Sequence, residues 1–217
     1  MSLLAPILSL SRHFKSQERI NKETSDLQQQ ELAIWESKGG VDAPVPHIIK
    51  QRTIQAYQKA SQIKVLVETG TYLGDMLEAQ KSYFQSLISI ELSQKLHQRA
   101  LKRFKGESKI QLLQGDSGKV LHQVMQQLKE PAIFWLDGHY SAGMTAKGDK
   151  ECPIFEELDA IFATPQPMKH ILLIDDARCF VGANDYPTID ELKAYFKQHQ
   201  LPYQIEVQQD IIRCTPL

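Results

Sequence analysis

The sequence predicts an α/β chain: a doubly wound, mostly parallel sheet closed by a C-terminal antiparallel hairpin. Three observations predict it. From about residue 63, short β-rich runs alternate with stretches at helical spacing, the order of a βα chain. Two of the runs, Ala132-Ile133-Phe134-Trp135-Leu136 and Ile171-Leu172-Leu173-Ile174, are apolar without alternation, as strands covered on both faces are. Beyond residue 200, Tyr203, Ile205 and Val207 alternate with polar residues, and Gln208-Gln209-Asp210 separates them from Ile211-Ile212-Arg213-Cys214. That pattern is a hairpin at or near a sheet edge.

The elements follow in order. Residues 1–46 form an N-terminal extension, read as helical around Gln28-Gln29-Gln30 and punctuated by Gly39-Gly40 and Pro44-Val45-Pro46. Residues 47–217 form the sheet domain. Its first three runs are Val65-Leu66-Val67, Leu87-Ile88-Ser89-Ile90 and Ile110-Gln111-Leu112-Leu113. Leu73, Leu77 and Phe84 mark the first helical stretch, Leu96, Ala100 and Phe104 the second, and Val120, Leu121, Val124, Met125 and Leu128 the third. Pro153 stands at the head of Ile154-Phe155-Glu156-Glu157-Leu158, with two acids in the first turn. Thr188-Ile189-Asp190-Glu191 has the form of a capping box. The architecture is Rossmann-like.

Composition excludes several classes of function. The chain has 217 residues, 42% hydrophobic and 24% charged, enough for one sizeable core. Its 25 basic residues stand against 26 acidic ones, a net of −1, so no global field draws it to nucleic acid or to an anionic membrane. No apolar stretch is long enough to span a bilayer. Cys152, Cys179 and Cys214 are odd in number and form no CxxC pair, which suits a reducing, cytoplasmic location. Met1 to Leu10 is apolar but lacks a basic lead and is broken by Pro6; it reads as a docking segment or helix start, not as a secretion signal.

Chemistry gathers at the strand ends, where open parallel sheets bind ligands. Every predicted parallel strand ends in a carboxylate: Glu68, Glu91, Asp116, Asp137, and Asp175 with Asp176. In Glu68-Thr69-Gly70-Thr71-Tyr72-Leu73-Gly74, Gly70 lets the chain turn tightly off the strand and approach a ligand, and Gly74 lets a helix start. The bland alternative is a plain strand-to-helix turn. Glu91 lies twenty-one residues after Gly70, where a carboxylate can accept hydrogen bonds from ribose hydroxyls.

These residues resemble those of class I S-adenosylmethionine-dependent methyltransferases, over most of residues 63–217. The Glu68–Gly74 turn is similar to the E-x-G-x-Y-x-G form of metal-dependent catechol-type O-methyltransferases. Gly115-Asp116-Ser117 resembles their turn after the third strand, where the Ser position lies near the adenine. Leu136-Asp137 and Ile174-Asp175-Asp176 resemble the acids that hold a divalent cation there, and macrocin-type sugar O-methyltransferases share the arrangement. The resemblance implies S-adenosylmethionine held by Glu68, Gly70, Tyr72, Gly74, Glu91, Asp116, Ser117 and Asp137. It implies Mg²⁺, or another divalent cation, on Asp137, Asp175 and Asp176, where it would favour an acceptor alkoxide. The alternative for those acids is turn and strand-end structure. Where catechol-type enzymes carry a lysine base, this chain has Asp137-Gly138-His139-Tyr140, so His139 is the base implied by the sugar-modifying relatives.

Residues 138–152 form a long connection read as a lid, with a plain surface loop as the alternative, and Lys147 in it could meet a phosphate, a carboxylate or the substrate alcohol. Arg178 and the segment 182–186 could complete an acceptor pocket, or Arg178 could equally pair with one of the acids nearby. The expected activity is O-methyl transfer to a hydroxyl of a sugar or small natural product, with homo-oligomerisation open. Two other readings remain: a nucleoside-cofactor binding protein without turnover, and another metal-using reaction, such as hydroxylation, on the same fold.

Overall fold

Strand alternation explains the layers. In β1 (Val65–Thr69), Val65 and Val67 belong to one apolar core and Leu66 to another, because successive side chains point to opposite faces. β4 (Ala132–Leu136) and β5 (Ile171–Ile174) repeat the division: Phe134, Leu136, Leu172 and Ile174 fill the first core, and Ile133, Trp135, Ile171 and Leu173 the second. Both faces are therefore covered, and the unbroken apolar runs follow from that.

The computed structural model describes residues 17–41, 43–138, 152–163 and 169–217. The chain divides into two compact units, Met1–Ile49 and Lys50–Leu217. In the first, α1 (Gln17–Ser37) contributes Leu32 to a small cluster with Val45, Ile48 and Ile49, against which Trp35 packs. α2 (His47–Ser61) starts in this unit and continues into the second.

The second unit holds a seven-stranded sheet in the order β3-β2-β1-β4-β5-β7-β6. β2 (Ser86–Glu91), β3 (Ile110–Gln114), β4 and β5 run parallel with β1, in the register Val65↔Ser86 and Val65↔Ala132 around it. β6 (Tyr203–Gln208) and β7 (Ile211–Pro216) form the C-terminal hairpin, and β7 pairs antiparallel with β5. Gln209 and Asp210 turn the hairpin with φ of 53° and 59°, the backbone that a two-residue turn between twisted strands requires.

The helices sort by their apolar partners. α5 (Ser117–Gln127), α6 (Ile154–Phe162) and α7 (Ile189–Gln198) bury Leu121, Leu158 and Leu192 in the first core. α3 (Asp75–Gln80) and α4 (Gln94–Arg103) bury Leu77 and Ala100 in the second. Thr188 and Glu191 form both arms of the capping box at α7. α3 is shorter than Leu73, Leu77 and Phe84 suggest. Gly74 sits before it at φ 81°, a left-handed conformation that stops the helix from extending towards Leu73. Phe84 lies beyond its end yet is buried in the same core.

Candidate active site

Strand order reverses between β1 and β4, the switch point at which open α/β sheets place a ligand crevice beyond the carboxyl ends of the strands. The turn after β1 forms one wall. Gly70 has φ 84°, and its N–H donates to the Ile90 carbonyl at 2.9 Å. A Cβ there would lie 2.3 Å from the Asp137 carbonyl oxygen. The close approach for which glycine is needed is therefore to the end of β4. At Gly74 a Cβ would lie 2.6 Å from the Phe104 ring. Tyr72 takes φ 48°, and its side chain is exposed.

Glu91 fixes this turn. Its Oε2 accepts from the Tyr72 N–H and its Oε1 from the Ser93 N–H, both at 2.8 Å. The sequence reads Glu91 as a ribose acceptor; in the structure it is buried and ties together the turns after β1 and β2. Each carboxylate oxygen retains a second lone pair.

Glu68 is 1% exposed and lies within β1, one residue before its end. Ser89 Oγ donates to its Oε2 at 2.5 Å, and Ser89 and Thr71 share a 2.6 Å hydrogen bond. Burial pushes the Glu68 carboxyl up to about 8; the Ser89 bond pulls the other way, and the charges of Glu91 and Asp75 add to the rise. That rise favours the protonated, neutral form of the carboxyl near neutral pH.

Asp116 caps α5, accepting from the Gly118 N–H at 3.0 Å, which is turn chemistry in its simplest form. Ser117 Oγ donates to Glu157 Oε1 at 2.6 Å. Burial pushes Glu157 up to about 7, opposed by hydrogen bonds from Ser117 and Thr69. The Asp137 N–H donates to Thr69 Oγ1 at 3.1 Å. A Cβ on Gly138 would meet Glu157 Oε1 at 2.8 Å, so this small polar cluster closes against the β4 turn.

Asp137, Asp175 and Asp176 come together, with one oxygen from each lying within 4.8 Å of the others. A side-chain cation stands among them. Lys50, on α2, places Nζ 2.5 Å from Asp175 Oδ2 and 3.3 Å from Asp176 Oδ1. Burial opposes its charge, but Asp175, Asp176 and Asp137 outweigh it, and its pKa lies above the ordinary lysine value. Asp175 is raised to about 6 by burial, against the pull of Lys50, and Asp137 lies well above the usual carboxylate range, by burial and then by Asp175. Asp175 Oδ1 accepts the Asp176 N–H at 2.8 Å. Arg178 donates to Asp176 Oδ1 at 2.8 Å and also bonds Asp210 in the β6–β7 turn. Arg178 therefore braces the acids; it pairs with carboxylates on both sides.

The segment 182–187 lines a groove of about 520 Å³ with Phe155 and Tyr195. His139 and Lys147 lie outside the described residues, as does most of the 138–152 connection. Sequence reasoning missed Lys50, Glu157 and Asp210. Glu157 alone carried a signal: it falls on the apolar stripe of Ile154, Leu158 and Ile161, and a carboxyl there must find a buried partner.

No family model matches the sequence, and no curated protein matches it. Solved structures match over nearly the whole chain. An O-methyltransferase from Bacillus cereus in complex with S-adenosylhomocysteine has a TM-score of 0.57 at 11% identity, over 90% of this chain and 96% of that one. A methyltransferase from Podospora anserina with the same ligand has a TM-score of 0.58 at 13% identity, over 94% of this chain and 98% of that one. An O-methyltransferase from Streptomyces achromogenes, involved in tomaymycin synthesis and in complex with S-adenosylmethionine, has a TM-score of 0.54 at 12% identity, over 94% of this chain and 100% of that one. The likeness is one of fold: the chain has the Rossmann-like fold of class I S-adenosylmethionine-dependent methyltransferases. Among the described residues, no helix is long and apolar enough to cross a membrane.

Proposed function

We propose that the protein is an S-adenosylmethionine-dependent O-methyltransferase acting on a hydroxyl of a sugar or small natural product. The observation that carries this reading is the crevice between β1 and β4, where the Gly70 turn is pressed against β4 and ringed by the buried acids Glu68 and Glu91. Solved structures of the same fold hold S-adenosylmethionine or S-adenosylhomocysteine. When bound, S-adenosylmethionine supplies a methyl group on a cationic sulfonium. The residues fit such a ligand: Glu68, neutral when the site is empty of charge, can ionise against a cation, and Asp137 adds a second acid at the neighbouring strand end.

The chain's own tasks are positional. Gly70, Tyr72 and Gly74 give the turn its shape, Glu91 holds that turn and offers lone pairs to ribose hydroxyls, and Asp116 and Ser117 border the far side. Aligning an acceptor oxygen for in-line displacement and excluding water are worth several orders of magnitude in rate. His139 is given the acceptor proton on the resemblance and Lys147 a contact with the acceptor on its place in the 138–152 connection, and the groove beside segment 182–187 suits a small acceptor. Divalent-metal assistance at Asp137, Asp175 and Asp176 is left out of this reading, because Lys50 already stands among those acids.

The test is calorimetric titration of the full chain with S-adenosylmethionine and S-adenosylhomocysteine, followed by detection of S-adenosylhomocysteine release over sugar and phenol acceptors. Binding of both ligands and turnover on a hydroxyl acceptor are expected. Failure to bind either ligand sinks the proposal, and binding with no turnover on any acceptor favours a binding protein.

A further inference from the structure

The resemblance to catechol-type and macrocin-type O-methyltransferases implies a divalent cation at the acids after β4 and β5, and this chain puts a lysine there. We infer that Lys50 is the resident cation of the Asp137–Asp175–Asp176 cluster and that the centre holds no divalent ion. The inference rests on the methyltransferase reading only for what the cluster serves; the identity of its cation is read from geometry alone.

Three features carry it. The ammonium has the spacing of a charge-assisted bond to Asp175, 2.5 Å, and a second, longer contact to Asp176 at 3.3 Å. Three of the oxygens a metal would share already accept hydrogen bonds. Asp175 Oδ2 accepts from Lys50 and Oδ1 from the Asp176 N–H, while Asp176 Oδ1 accepts from both Lys50 and Arg178. Magnesium demands near-octahedral oxygens at about 2.0–2.1 Å, and calcium takes six to eight at about 2.3–2.6 Å. Either ion bound to Asp175 Oδ2 would share that oxygen with the Lys50 ammonium, and the two positive charges would repel. A second side-chain cation is present as well: Arg178 bonds both Asp176 and Asp210, so the acids already have two positive neighbours.

Displacement is resisted from the lysine side. The Lys50 side chain is 13% exposed and Asp175 1% exposed, so an ammonium pushed off the cluster loses its counter-charges in a largely water-excluded place. The lysine precedes β1 and its acids follow β5, 125 residues later, so the pair also fixes α2 to the end of the sheet.

The experiment is titration of the full, chelator-treated chain with Mn²⁺, following the free-ion electron paramagnetic resonance signal, for wild type, Lys50→Met and Lys50→Arg. Melting curves confirm folding. The expected result is no stoichiometric Mn²⁺ site in wild type or Lys50→Arg, and one site in Lys50→Met at least tenfold tighter than any wild-type binding. A wild-type site that Lys50→Met leaves unchanged overturns the inference, and so does a Lys50→Met chain that gains no site. If Lys50→Met does not fold, a stoichiometric site in wild type that Asp175→Asn abolishes overturns it, and its absence from wild type and Lys50→Arg upholds it. S-adenosylmethionine binding is measured on the same samples in the chelator. Loss of that binding in wild type fails the methyltransferase reading and leaves the Mn²⁺ result standing.

Discussion

Replacing Glu68 by glutamine should stabilise the protein at neutral pH while weakening its hold on a cationic ligand. Glu68 is raised from an ordinary 4.5 to about 8, chiefly by burial. Between those values the folded chain keeps a proton that the unfolded chain gives up, so stability falls as pH rises from 4.5 to 8. Each pH unit in that window costs about 1.4 kcal/mol, hence about 3 kcal/mol by pH 7. Glutamine is neutral at every pH and can accept the Ser89 hydrogen bond through its carbonyl oxygen. The variant should match wild type near pH 4 and exceed it by up to about 3 kcal/mol at pH 7, a rise of roughly 6–12 °C in Tm for a chain of this size. Urea unfolding of both proteins from pH 4 to 8.5 measures the difference directly, because Glu157 and His170 act equally in each. Parallel stability curves over that range would refute the reasoning, since they would mean Glu68 ionises alike in the folded and unfolded states.

Other outcomes follow from the same geometry. Gly70→Ala puts a Cβ 2.3 Å from the Asp137 carbonyl oxygen at a φ of 84°, so unfolding free energy should fall by about 2–4 kcal/mol. S-adenosylmethionine affinity should drop at least tenfold with it, read by urea melts and calorimetry. His170 is 2% exposed, with Nδ1 accepting from the Ala132 N–H, and burial lowers it from 6.5 to about 4. The unfolded chain takes up a proton that the folded chain refuses, so stability is lost as pH falls from 6.5 towards 4; His170→Asn should remove about 3 kcal/mol of that loss in the same melts. Thr188→Ala removes the side-chain cap on the Glu191 N–H and should cost about 1 kcal/mol without altering ligand binding.

The sheet was legible because its signals are local. Ala132–Leu136 and Ile171–Ile174 read as buried strands from unbroken apolar runs, and Thr188 with Glu191 announced a helix start within four residues. The acids were legible in position but not in environment. Glu68 and Glu91 look alike in sequence, yet one lies inside β1 against Ser89 and the other accepts two backbone N–H groups from separate turns. Lys50 could not be found at all. It is one of two lysines on its helix, and its meaning comes from acids 125 and 126 residues away that the crossover topology brings to it. Gly70 was legible as a turn but its close approach to the end of β4 was not, since a pattern of glycines shows where a chain turns but not what it turns against.

The central claim is that the crevice between β1 and β4 binds S-adenosylmethionine without help from a divalent ion. Calorimetric titration of the ligand into the full chain in excess EDTA tests it most directly. One equivalent bound, with an affinity unchanged when Mg²⁺ replaces the chelator and reduced by Glu68→Gln, is the predicted result. No heat of binding in either buffer, or binding that appears only with Mg²⁺, would contradict it.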